Sequence, residues 1–182
     1  SESAVQNSLT RLGAAHLYEN ESLPSENLEQ ANQVIREVLI DGRNPRHITA
    51  LAPVIVAQIS QIHLTKLWSE FINLGLERRL GWVFENTLEA LKRAPKPANF
   101  TTSRNYRQAE TVLQQFLENI HSHTFKQHNT LLPDVLGVVA PSKRTLSSLA
   151  KQSSPISTKW GVLSPFQVHD FVDALKASHD AA

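Results

Sequence analysis

Residues 64–93 read LTKLWSEFINLGLERRLGWVFENTLEALKR. Leu64, Leu67, Trp68, Phe71 and Leu74 recur three and four apart, which stacks them on one helical face, and Gly75 supplies a left-handed stop. Leu76, Leu80, Val83, Phe84, Leu88 and Leu91 repeat the pattern until Pro95 and Pro97 end it. Two amphipathic helices sharing so short a joint are expected to pack as an antiparallel hairpin. This pair sets the expectation of a helical fold.

Working towards the N-terminus, Val5, Leu9, Leu12 and His16 form another stripe. A further helix is expected from a Ser25 cap through Leu28, Ala31, Ile35 and Leu39, ended by Gly42. Asn44 before Pro45 is a cap followed by a ring suited to the first helical position. The helix they open carries Ile48, Leu51, Ala52, Ile55 and Ile59, but Pro53 falls inside it, so a kink or break is expected at Leu51 or Ala52.

Towards the C-terminus, residues 94–103 read as a linker, with two prolines and no apolar period. A long helix follows through Tyr106, Ala109, Leu113, Phe116, Leu117 and Ile120, fraying near His128. Residues 131–141 are apolar but too short to classify. Ser142 caps a short helix through Leu146 and Leu149. Ile156, Thr158, Trp160 and Val162 alternate with Ser157, Lys159 and Gly161, which suits a half-buried strand or an extended segment better than a helix. Ser164, Pro165 and Gln167 spell a capping box for a last helix through Phe171 and Leu175. The fold class expected is mainly α: an orthogonal or antiparallel bundle of about six to eight helices, with one small β element near residues 156–162. Residues 1–94 and 104–182 would be two helical halves packed as one globular domain.

The 182 residues are 41% apolar and 19% charged, and none is cysteine. Disulfides, thiolate zinc sites, iron–sulfur clusters and cysteine nucleophiles are therefore excluded. No apolar run approaches the roughly 18 to 20 residues of a membrane span, and SESAVQNSL lacks a signal peptide's basic start and apolar stretch. A soluble, cytoplasmic protein without a membrane partner is the expectation.

Charge is nearly balanced, with 18 Lys and Arg against 17 Asp and Glu, yet unevenly spread. Residues 1–60 hold four basic and seven acidic side chains. Lys92, Arg93, Lys96, Arg104 and Arg107 occupy one stretch without an acid. Lys126, Lys143, Arg144, Lys151 and Lys159 occupy another with Asp134 alone. If both stretches share one side of the fold they make a phosphate-attracting face; otherwise they are solvated helix ends. Arg43, Arg46 and His47, at a helix start, form a second candidate for anion contact.

Residue types with catalytic potential are present but poorly arranged. His121 and His128 lie two turns apart, and no pair of the His121, His123 and His128 cluster has the three- or four-residue spacing of a helical metal site, so no metal and no cofactor are expected. Ser148 and Lys151 spell S-x-x-K without its companion elements. Glu85 and Glu89 share a face, but Glu89 precedes Lys92 and Arg93 at ion-pairing distance along a helix. Asp170 and Asp173 suit a helix start. Trp68, Trp82 and Trp160 read as core anchors.

The stretch 59–91, with Lys66, Leu67 and Trp68 on one helix and Glu77, Arg78, Arg79, Leu80, Gly81 and Trp82 on the next, resembles the C-terminal region of the abortive-infection type IV antitoxins, the AbiEi-like regulators. Members of that family are transcriptional regulators that antagonise a nucleotidyltransferase toxin and read DNA through a winged helix and a basic C-terminal domain. Residues 1–56 carry no winged-helix pattern. The resemblance implies that Arg78 and Arg79 belong to a basic or partner-contacting surface, with DNA or a partner toxin as the contact.

The function expected is therefore a non-enzymatic regulatory or interaction protein. Arg78, Arg79, Lys92, Arg93, Arg104, Arg107, Lys143 and Arg144 would meet a nucleic acid or an acidic partner. The alternatives are a helical protein–protein scaffold or homo-oligomer that touches no polyanion, and an enzyme using the histidine cluster.

Overall fold

The computed structural model describes residues 2–17, 30–124 and 132–181, with backbone alone for 121–124. Among them run nine helices and two short strands: α1 (Glu2–Leu12), α2 (Ala31–Asp41), α3 (Pro45–Ala57), α4 (Leu64–Leu74), α5 (Glu77–Arg93), α6 (Phe100–Thr124), β1 (Asp134–Val135), α7 (Lys143–Gln152), α8 (Pro155–Trp160), β2 (Val162–Leu163) and α9 (Val168–Ala181). The architecture is mainly helical with one small β element, as the periodicity anticipates. Ser25 and Leu28 lie outside the described residues.

Local signals explain most of the boundaries. Gly42 and Gly75 end α2 and α4 in the left-handed conformation. Asn44 Oδ1 accepts from the amides of Arg46 and His47, with Pro45 in the first turn of α3. Ser142 caps α7 by accepting from Thr145 N at 3.1 Å.

Three expectations need correcting. Of the kink or break expected at Pro53, the break does not occur, since α3 runs unbroken from Pro45 to Ala57. Ala50 to Val56 are seven consecutive buried residues, as in a helix surrounded by protein on all sides. Burying such side chains at about 1.5–3 kcal/mol each for the larger ones offsets the roughly 3 kcal/mol of an interior proline.

The alternation at 156–162 belongs largely to a helix. Ser154 accepts from Ser157 N at 3.0 Å, Pro155 follows the cap, and Gly161 closes α8 with φ 65°. Only Val162 and Leu163 are strand, pairing in parallel with Asp134 and Val135.

The capping box at Ser164 does not form. Ser164 Oγ accepts from Phe166 N at 3.2 Å, and α9 starts at Val168, where Asp170 accepts from Gln167 N at 2.8 Å. Phe166 is drawn instead against Trp82 and Phe171, with ring centroids 5.9 and 6.0 Å away.

Helix α5 is the hub, contacting α3, α4, α6, α8 and α9. Trp82 meets Phe171 of α9 edge-on at 5.6 Å, and Phe84 meets Phe116 of α6 at 5.7 Å. Gly81 lets the Trp160 ring of α8 lie directly on the α5 backbone, since a Cβ there would stand 2.2 Å from the ring. Trp82 and Trp160 are fully buried, and Trp68 is half-buried against Phe116. All three serve as core anchors.

Candidate functional site

Arg78 and Arg79, in the first turn of α5, are half-buried and bonded to other elements of the fold. Arg78 donates from Nη1 to Gly161 O at 3.0 Å and from Nη2 to Leu132 O at 2.9 Å. Arg79 holds Asp134 through Nε and Nη2, at 2.8 and 2.9 Å, and donates from Nη1 to Leu39 O at 2.7 Å. These bonds tie the end of α2, β1 and the α8–β2 turn to one end of α5. A two-residue parallel ladder is marginal by itself, and the guanidiniums supply what its few backbone bonds do not. Donors of both arginines are engaged by carbonyls and, for Arg79, by a carboxylate, partners that local sequence does not reveal.

The other basic residues of the candidate set are exposed. Lys92 and Arg93 fill the last turn of α5, where cations suit the dipole. Lys92 Nζ reaches Glu89 at 3.5 Å and Gln114 at 3.3 Å, and Lys96 reaches Glu110 at 3.7 Å. Such surface ion pairs leave the cations available to a competing anion. On α6, Phe100, Arg104 and Arg107 share one outward face by their four- and three-residue spacing. Phe100 is 71% exposed, and neither arginine has an acidic partner among the described residues. Lys96 and Lys92 thus lie along α6 at Glu110 and Gln114, while Phe100, Arg104 and Arg107 share the outward face of its first turns.

Lys143 and Arg144 are also exposed, but at the start of α7. Helix α7 packs on β2, which is tied through Gly161 to Arg78. Lys159 of the same stretch lies elsewhere: it pairs with Glu85 in the middle of α5 and lines a pocket with Glu89 and Lys92, beside the first stretch.

At the start of α3 the chain's own groups occupy the anion-binding positions. Asn44 takes the free amides, its Nδ2 donates to Glu2 Oε1 at 2.7 Å, and Arg43 is held by Asp41 at 2.7 Å. The hydrogen bonds from Arg43 keep the Asp41 carboxyl below its ordinary range. Arg46 is exposed. His47 is buried, and its Nε2 has no partner among the described residues. Burial lowers its pKa, aided by the Arg46 charge and opposed by the charges of Glu2 and Asp41.

The side chains of His121 and His128 lie outside the described residues. Among the described residues no group of three or more His, Asp or Glu could hold a metal ion. Glu85 is engaged by Lys159 at 2.5 Å, and Asp170 caps α9. Ser148 and Lys151 are exposed on α7.

Phe100 escaped the sequence reading because it fell inside the expected linker; its spacing to Arg104 and Arg107 was the available signal. Neither a protein-family model, nor a curated protein, nor a solved structure matches the chain.

Proposed function

We propose that the protein is a non-catalytic regulatory or interaction protein whose α5–α6 corner contacts a single-stranded nucleic acid. The observation that carries the reading is Phe100, exposed on the same face as Arg104 and Arg107 and close in sequence to Lys92, Arg93 and Lys96. Cations attract the phosphates, and an exposed ring offers a base a stacking platform. The resemblance of residues 59–91 to the type IV antitoxins supports a regulatory role, although Arg78 and Arg79 are not part of the proposed surface.

The test is fluorescence anisotropy of a labelled mixed-sequence oligonucleotide, single-stranded and duplex, titrated at low and moderate salt. The single strand should bind more tightly, with affinity falling steeply as salt rises. Arg104→Glu with Arg107→Glu should abolish binding while the circular dichroism spectrum is unchanged. Equal affinity of this double variant, or no binding at low salt, would overturn the proposal and direct attention to an acidic protein such as a partner toxin.

A second reading, a protein–protein scaffold or homo-oligomer, draws support from Ile72 and Leu74, both more than 40% exposed at the end of α4. Sedimentation velocity across concentrations would detect self-association, and Ile72→Glu should abolish it. No helix among the described residues is long and apolar enough to cross a membrane.

A further inference from the structure

Helix α1 is lightly held. It packs on α2 and α3, and its buried residues are Ala4, Asn7, Ser8 and Leu9, two of them polar, against nine buried residues on α3. Elements that bury few apolar side chains open at low free energy. At one end Glu2 Oε1 accepts from Asn44 Nδ2 at 2.7 Å, and at the other Leu12 O accepts from Gln58 Nε2 at 2.9 Å. The loop that follows is pinned to α9, where Ser178 Oγ accepts from Ala15 N at 3.1 Å and donates to Gly13 O.

Two histidines sit at this docking: His16, half-buried in the loop after α1, and His47, buried in the first turn of α3. Nδ1 of His16 and Nε2 of His47 are both sealed from solvent and have no hydrogen-bond partner among the described residues. In a neutral ring the sealed nitrogen can be the one without a hydrogen. On protonation both nitrogens carry one, so the sealed nitrogen becomes a charged donor with no acceptor.

The surrounding charges add to this. Burial is the larger cause that lowers the pKa of both rings, and the Arg46 charge lowers both further. Glu2 of α1 and Asp41 of α2 act the other way on His47, but they are already engaged by Asn44 and Arg43. No other charge among the described residues bears on either ring.

We propose that the docking of α1 on α3 is an acid-sensitive clasp: protonation of His16 and His47 beside Arg46 releases α1 and the loop after it, baring the flank of α3 that they cover, while the other helices stay packed. It involves none of the residues of the proposed nucleic-acid surface. A released ring titrates at its ordinary 6.5 and a docked one below it, so docking is fully stable above that pH and weakens as pH falls from there through the docked values.

The test is amide hydrogen exchange of the full chain, expressed as protection relative to an unstructured chain at the same pH. Between about pH 7 and pH 5 the protection of the Leu9 to Leu12 amides should fall at least tenfold, because each histidine contributes up to about tenfold per pH unit while its docked form stays neutral. Protection in α4, which packs on α5 and opens without freeing either histidine, should hold over the same range. His16→Asn with His47→Gln should keep α1 protection level. Arg46→Gln, at an exposed position, should shrink the fall, and decides the question should the double variant not fold. Constant α1 protection in the native chain, a fall that α4 shares equally, or a fall undiminished in either variant would overturn the proposal.

Discussion

Arg79 and Asp134, 55 residues apart in the chain, meet as a bidentate ion pair at 2.8 and 2.9 Å, with side chains only 14% and 15% exposed. The third guanidinium nitrogen closes on Leu39 O, so one side chain joins α2, α5 and β1. Arg79→Ala leaves the carboxylate with little solvent to replace its partner. Urea unfolding should show a loss on the order of 3 kcal/mol, as for breaking a largely buried pair. A variant of unchanged stability that instead loses a binding partner would return Arg79 to the contact surface.

Gly81→Ala sets two effects against each other. Alanine improves helix propensity by about 1 kcal/mol. Its Cβ would also enter the space of the fully buried Trp160 ring, which has no room to retreat, and overpacking of that kind costs about 1–3 kcal/mol. The clash should prevail, lowering Tm and broadening the Trp160 indole resonance.

Ser157→Ala tests the polar contact inside the core. Trp82 Nε1 donates to Ser157 Oγ at 2.9 Å, and Ser154 Oγ donates to the same oxygen at 3.0 Å. The substitution leaves the indole N–H buried without an acceptor, at a cost of about 1–3 kcal/mol by chemical denaturation. A loss near zero would mean that another acceptor reaches the indole.

His47 should make stability fall in acid. Burial sets its folded pKa below the ordinary 6.5, so the unfolded chain binds the proton more readily. The stabilising neutral form is fully present above pH 6.5, and its contribution is lost as pH falls from there through the depressed folded value. Tm measured between about pH 7 and pH 5 should therefore drop more steeply for the native chain than for His47→Gln. Parallel curves would mean that His47 titrates alike in both states.

Phe100→Ser should separate binding from folding. The ring is 71% exposed, so its removal should leave Tm nearly unchanged. Loss of a stacking platform is worth about 1–3 kcal/mol of single-strand affinity. Undiminished affinity would confine any nucleic-acid contact to the cations.

Signals carried by adjacent residues were legible. Asn44 before Pro45, Ser142 and the glycines at 42 and 75 mark helix ends because a cap or a left-handed turn needs only neighbours in the chain. Failures occurred where a distant group competed. Pro53 stays helical because α1, α2, α5, α6 and α9 surround α3, and Ser164 forms no capping box because Phe166 is drawn to Trp82 and Phe171. The candidate surface was half legible: Arg104 and Arg107 were named from charge alone, while Phe100 was not seen.

By itself, the sequence determined the helical class and most helix boundaries, since turn periodicity and capping act over three or four residues. Only the tertiary structure decided which charges face solvent. A guanidinium seeks oxygen acceptors wherever the folded chain brings them, so Arg79 is committed to Asp134 and Leu39, whereas Arg107, also on a helix, lies exposed with no ion pair among the described residues.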